Sequence, residues 1–392
     1  MGSNAMFSKV LTLLFIATSV TAAAQQPPAG TPPVRTAEQQ YKNIKVLTGT
    51  PANQLNITMH AISGELGVDC VHCHVWEEWD KDVKAAKEIA RRMISMVRQM
   101  NQTYFGGAPV ITCYSCHRSS ARPVNVAVLP DTIGLRPLTT PPPPLPVEEK
   151  PKPVPNHPSV DAILQKYVQA LGGEQAIRRV TSRVITARRD LPAGPAGLAP
   201  VLADVEIYQK APNLSVMISR TAEFTVSEGF DGDVAWSQNA AGVVTTLPNP
   251  DQQRAKRAAN FYGALDLAVE YASLEVTGIE RVNGREAYVL AGRPPGDSIE
   301  RLYFDVKTGL LLRRWSTLPT SLGRFPYQVD YDDYRKTGSG VRIPFTIRTV
   351  PGTPRAETIT NSTYQVLRVR ENVEIDSARF VRPETRPRPA SN

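Results

Sequence analysis

Cys70-Val71-His72-Cys73-His74 and Cys113-Tyr114-Ser115-Cys116-His117 hold all four cysteines of this 392-residue chain. Two thiols three positions apart can each add across one vinyl group of the same porphyrin, and the histidine that follows is then held under the iron. The pentads therefore predict two covalent c-type haems, with Cys70, Cys73, Cys113 and Cys116 as attachment points and His74 and His117 as iron ligands. No cysteine is left over for a disulfide. A four-thiolate zinc site is the rival reading of two Cys-x-x-Cys pairs. The histidine that closes each pair weighs against it. A thioredoxin-like redox pair fails because neither pentad lies in a βαβ context.

Upstream, Lys9 precedes an apolar run from Val10 to Val20 that ends in Thr21-Ala22-Ala23-Ala24. This is the pattern of a secretory signal peptide over residues 1–24, and it predicts an exported, periplasmic protein. The run is short for a bilayer span; an uncleaved anchor with membrane association is the alternative. A formal net charge of +8 and a pI near 9.3 would suit a nucleic-acid partner, but export removes that partner.

Downstream the period of the apolar residues changes twice. Residues 38–125 read as helical. Asn53 is placed to cap a first helix whose apolar face is Leu55, Met59, Ile62 and Leu66. A second helix, from about Val83 to Tyr104, has Ile89, Met93, Met96, Val97 and Met100 on one face and Lys84, Lys87, Arg91 and Arg98 largely on the other. Residues 126–158 are proline-rich and read as a semi-stiff linker. An amphipathic helix from Val160 to Leu171, stopped by Gly172-Gly173, opens the next region. After it the period is two: eleven strand-like runs follow, with Asn283-Gly284 and Lys307-Thr308-Gly309 as hairpin turns and one helical insertion from Asp251 to about Tyr262. The expected fold is multidomain: a small α-helical dihaem domain (38–125), the linker, then an α+β domain with a curved antiparallel sheet (159–385) and a tail (386–392).

The sixth iron position decides between carrying electrons and binding substrate. Beyond the pentad ligands the histidines are His60, His72 and His157, and the helical methionines include Met59 and Met93. Met59 stands eleven residues before Cys70 (70 − 59) and Met93 twenty before Cys113 (113 − 93). Each lies on an apolar helix face, where core filling and iron ligation are both open readings. His60 points about 100° away from Met59 around the helix and is read as solvent-facing or as a propionate partner.

The helical region resembles one two-haem half of the cytochrome subunit of photosynthetic reaction centres. The resemblance is carried by Lys45-Val46-Leu47, Met59, Ala90-Arg91-Arg92-Met93 with Met96, Asn101, and Thr112-Cys113-Tyr114-Ser115-Cys116-His117-Arg118. It implies that Met59 and His74 are the axial ligands of one haem and that Met93 and His117 are those of the other. Members of that family carry four haems in two tandem halves, whereas this chain has two pentads, and no histidine stands between Asn101 and Thr112.

Residues 159–385 are similar to LolA-like lipoprotein-handling domains through Ala170-Leu171-Gly172-Gly173, Gly284-Arg285-Glu286-Ala287-Tyr288-Val289-Leu290, Leu302-Tyr303-Phe304-Asp305 and Val341-Arg342-Ile343-Pro344. That resemblance implies a half-open barrel with an apolar groove for a lipid or quinone. No catalytic set stands out: Asp231, Asp233, Asp305 and Asp330 sit beside turns or strand ends, where aspartate serves local geometry. Arg254, Lys256 and Arg257 read as a solvated basic face, or as a surface for anionic lipid or a redox partner. The leading expectation is a dihaem electron carrier working between periplasmic or membrane-bound redox proteins. The alternatives are a peroxidase or reductase with one open iron, and a lipid- or quinone-binding protein with a redox head.

Overall fold

The computed structural model describes residues 35–123, 157–191, 201–249, 251–351 and 362–384. The expected signal peptide, most of the expected linker and the tail lie outside the described residues.

The helical region opens with α1 (Ala37–Gln40) and a 3-10 turn over Ala52–Gln54 that runs into α2 (Leu55–Leu66). That turn moves the helix start past Asn53, which therefore does not cap it; the N-cap is Gln54, without a side-chain hydrogen bond. Gly67, at φ 64°, closes α2 in the left-handed conformation that glycine takes without steric cost. The long helix α3 (Ala85–Phe105) ends at Gly106 in the same way.

The buried face of α3 is not the expected one. Lys87, Arg91, Ile94, Val97 and Asn101 are buried, while Ile89, Met93 and Met96 are exposed. The cause is Asp82, just ahead of the helix. It accepts ion pairs from Lys45 at 2.7 Å, Arg91 at 2.9 Å and Lys87 at 3.2 Å. The two helix cations are paired there, sharing one carboxylate with Lys45, and their alkyl stems are covered. The stripe Ile89-Met93-Met96 is left open.

α5 (Val160–Leu171) and α6 (Glu174–Arg178) lead into an antiparallel sheet. Its strands are β1 (Ser182–Leu191), β2 (Val201–Lys210), β3 (Leu214–Arg220), β4 (Thr225–Phe230), β5 (Ala235–Gln238), β6 (Val244–Thr246), β7 (Leu274–Val282), β8 (Arg285–Gly292), β9 (Glu300–Asp305), β10 (Leu311–Thr320), β11 (Gly323–Lys336), β12 (Arg342–Pro351) and β13 (Ser362–Glu371). The order β6-β5-β4-β3-β2-β1-β13-β12-β11-β10-β9-β8-β7 makes one open 13-stranded sheet among the described residues. β1 pairing β13 joins two meanders. Asn283 (φ 49°) and Gly284 (φ 80°) form the expected tight turn between β7 and β8.

α7 (Asp251–Ala259) and α8 (Gly263–Glu270) replace the single expected insertion. The largest apolar cluster joins Ile163, Leu164 and Tyr167 of α5 and Leu267 of α8 to Leu290, Leu302 and Phe304 of the sheet. Arg254 and Arg257 are not a solvated face. Both turn inward onto Asp297, with Arg254 Nε 2.6 Å from its carboxylate and Arg257 also 3.1 Å from Glu300, and only Lys256 of the three stays exposed. The aspartates do serve turns and pairs: Asp231 and Asp305 accept backbone N–H groups of their own loops, and Asp330 holds Arg313.

The helical region touches the sheet at the β10–β11 hairpin. Leu322 is buried in one cluster with Leu47 and Ile94, and Thr58 Oγ1 lies 3.3 Å from Ser321 Oγ.

Candidate haem-binding site

The first pentad folds as a 3-10 turn over Cys70–His72. Asp69 starts it by accepting the His72 N–H at 3.0 Å, and the His74 N–H closes it on the Cys70 carbonyl at 3.0 Å. The second pentad is the short helix α4 (Cys113–His117). Ser115 Oγ accepts the Thr112 N–H at 3.1 Å at its start, and Arg118 and Ser119, both at positive φ, end it. Asn101 of α3 holds the approach to α4. Its side chain donates to the Ile111 carbonyl at 2.8 Å and accepts the N–H groups of Val110 and Ile111.

Each pentad histidine is tied in the same way. His74 Nδ1 lies 2.9 Å from the Trp79 carbonyl and His117 Nδ1 2.9 Å from the Ser120 carbonyl. A carbonyl only accepts, so Nδ1 carries the proton in both rings and the Nε2 lone pair is free for a metal. Burial lowers the His74 pKa; the Trp79 carbonyl opposes this, and Lys87, Arg91 and Lys84 lower it further. Neutral imidazole is the ligating form.

Burial pushes the Cys113 thiol up to about 12, and the nearby Glu65 adds to the rise. Cys70 and Cys73 are raised as well, chiefly by burial. All three therefore rest as thiols. Cys116 is exposed.

α2 and α3 supply the walls. The start of α3 reaches the first pentad: Lys84, the residue just before the helix, donates to the Val71 carbonyl, and Lys87 donates to the Trp79 carbonyl at 2.9 Å. α2 reaches the second: Glu65 accepts the Tyr114 N–H at 3.1 Å through its carboxylate and the Ser119 N–H at 2.9 Å through its carbonyl.

These residues fit a large apolar cofactor. Trp76, Trp79, Ile89, Met93, Met96, Phe105, Val110 and Tyr114 are all more than a third exposed around two pentads, while the buried apolar cluster of the region gathers only Leu47, Ile94 and the borrowed Leu322. So much uncovered aromatic and aliphatic surface marks a binding surface. Among the described residues no group of three or more His, Cys, Asp or Glu forms a metal cluster, so the thiols of the two pentads are not gathered into one zinc site.

Of the other expected ligands, Met59 is half-buried beside the Leu47–Ile94 cluster and Met93 stands on the open stripe of α3. His72 and His157 are exposed. His60 is half-buried rather than solvent-facing, and burial, then the Arg189 guanidinium of β1, lower its pKa.

Residues 9–133 match the family model of the photosynthetic reaction centre cytochrome C subunit. A photosynthetic reaction center cytochrome c subunit of Rubrivivax gelatinosus is 32% identical over 110 residues, which is 26% of this chain and 30% of that protein. Cytochrome c-554 of Chloroflexus aurantiacus is 32% identical over 91 residues, 21% of this chain and 22% of that one. The chain thus spans less than a third of the length of these relatives. For the rest of the chain, a LolA superfamily protein from Nitrosomonas europaea is similar at 14% identity and a TM-score of 0.41, covering 57% of this chain and 98% of that one. A DUF1329 family protein from Desulfovibrio piger is similar at 16% identity and a TM-score of 0.41, covering 57% and 97%. The resemblance to a c-type cytochrome therefore holds for the helical region. The open-sheet class rests on the strand pairing itself.

The sequence carries no signal for Glu65 or Leu322, and its pattern puts Lys87 on the polar face of the second helix, whereas it is buried. Glu65 and Lys87 look like ordinary helix charges, and Leu322 an ordinary hairpin apolar residue; only their tertiary partners set them apart. Asp82, between two aromatic-rich and lysine-rich runs, carried no local signal either.

Proposed function

We propose that this chain is an exported dihaem c-type cytochrome that passes single electrons between redox partner proteins in the periplasm or at its membrane. The observation that carries the reading is the repeated histidine geometry: two Cys-x-x-Cys-His pentads, each with Nδ1 fixed on a backbone carbonyl and Nε2 left free. A bound c-type haem supplies a one-electron iron couple. Cys70 and Cys73, and Cys113 and Cys116, anchor one macrocycle each. His74 and His117 orient and ligate. Met59 and Met93 would supply the remaining protein ligands of the two irons, which would leave neither open to substrate and would favour carriage of electrons over catalysis. In this reading residues 38–125 are the redox head and residues 159–385 a second domain that packs on it through Leu322, with 126–158 between them in the chain.

A test separates the carrier from a haem enzyme. The reduced, haem-loaded protein is exposed to carbon monoxide: a carrier with two closed irons leaves the visible spectrum unchanged, and rapid stoichiometric binding at one iron sinks the carrier reading. Met59→Ala and Met93→Ala should each open one iron to the gas.

A second reading concerns the sheet. A cavity of about 270 Å³ is lined by Tyr167, Leu171, Leu267 and Ile343 together with the charged Arg183, Arg257, Glu270 and Arg314. An apolar molecule with an anionic or quinone-like end suits that lining. Mass spectrometry of organic extracts of the purified protein tests it; extracts free of any lipid or quinone contradict it.

A further inference from the structure

The two pentads share one design for their histidines but differ in what stands behind it. The Trp79 carbonyl that accepts from His74 Nδ1 also accepts from Lys87 Nζ, again at 2.9 Å. Both lone pairs of that oxygen are engaged. Lys87 is 8% exposed, and its ammonium reaches the Lys81 carbonyl and Asp82 as well. At the second pentad the Ser120 carbonyl accepts from His117, and among the described residues no ammonium joins it there. A carboxylate stands close instead: Glu65, half-buried, receives the Tyr114 N–H inside the pentad.

The chemistry of the difference has a sign. A histidine that donates Nδ1–H strongly becomes a more basic ligand and favours the oxidised iron. A carbonyl already polarised by a buried ammonium accepts that proton more weakly, so His74 is the poorer donor. The positive charge itself also opposes a more positive iron. Lys84 and Arg91 add to it; Asp69 and Asp82 oppose it, but Asp82 is shared among Lys45, Lys87 and Arg91. Glu65 acts in the other direction at the second pentad.

We propose that Lys87 and Glu65 are positioning residues that split the two potentials, so that the site built on His74 is the stronger oxidant and holds the electron in the half-reduced protein. The inference rests on the dihaem reading given above.

The test is a spectroelectrochemical titration of the purified, haem-loaded full chain, resolved into two one-electron components. Lys87→Met lowers the upper midpoint and leaves the lower one in place. Lys87→Gln keeps a donor without its charge, shifts the same component by less, and serves where the methionine variant does not accumulate. Glu65→Gln raises the lower midpoint only. Two haems whose midpoints ignore the Lys87 variants, or a lower midpoint that moves with them, overturn the inference alone. A purified protein with fewer than two haems overturns the proposed function instead.

Discussion

Leu322, at the turn between β10 and β11, is buried in the same apolar cluster as Ile94 of α3. The tip of a sheet hairpin thus completes the core of a helical region more than two hundred residues upstream. Its neighbour Gly323 continues the contact: a Cβ there would lie 3.2 Å from Thr112 Cγ2, directly before the second pentad. Leu322→Ala removes the side chain that fills this junction. Large-to-small changes of buried leucine cost about 2–5 kcal/mol, and here the loss should fall on α3. Hydrogen exchange at Ile94 and Val97 should speed up while β7 and β8 keep their protection. Unchanged exchange in α3 would mean that the hairpin only rests on the helices.

Gly67 is required where α2 meets α4. Its φ of 64° disfavours any side chain, and a Cβ would stand 2.3 Å from the Ser119 carbonyl oxygen. Gly49 has a similar φ of 76° with nothing within 4 Å. Left-handed backbone alone costs a non-glycine residue about 1–2 kcal/mol. Gly49→Ala should therefore show that modest loss, and Gly67→Ala should in addition displace Ser119 and the end of the second pentad. Haem content per chain is the readout: Gly49→Ala keeps the native count, and Gly67→Ala falls short of it at the second pentad.

Asp297 anchors Arg254 and Arg257 beneath α7. Burial works to raise its carboxyl, but Arg254, then the Ser298 N–H, then Arg257 hold it below the usual carboxylate range. A depressed folded-state pKa means stability that is present above the unfolded value of about 3.9 and lost as pH falls through the folded value. The thermal midpoint should hold from neutrality to about pH 4 and decline below it. Asp297→Asn leaves Arg254 without its main partner and Arg257 with Glu300 alone, and should cost about 3–5 kcal/mol at neutral pH, the usual toll of breaking a buried pair. It should also flatten the acid decline. A variant as stable as the parent at pH 7 would show that the cluster is neutral in effect.

Much of the sheet was legible because its signals are local. Leu274–Val282 is bounded by a turn and carries apolar residues at Leu274, Val276, Ile279 and Val282 with one slip of phase at Gly278, Asn283-Gly284 admits one kind of turn, and the helix Val160–Leu171 has both an apolar face and a double-glycine stop; each appears where the pattern puts it. Thr225–Phe230 was missed because Thr225, Ser227, Glu228 and Gly229 carry no strand pattern; β4 exists because β3 and β5 flank it. The faces of α3 were misread for a related reason. Periodicity sorts residues by polarity, but Lys87 and Arg91 are buried by an acid outside the helix, at Asp82. The pentads were legible because haem attachment needs its residues in consecutive positions. Their surroundings were not, since the Lys87–Trp79 and Glu65–Tyr114 contacts join separate elements.

The central claim is that each pentad carries one covalent haem. Intact-mass spectrometry of the denatured protein, purified after export, tests it most directly, because denaturation strips any haem that is merely bound. The account expects the polypeptide mass plus two haems, falling to one in Cys113→Ala/Cys116→Ala and in Cys70→Ala/Cys73→Ala. A bare polypeptide, a single haem, or a count unchanged by either double substitution would contradict it.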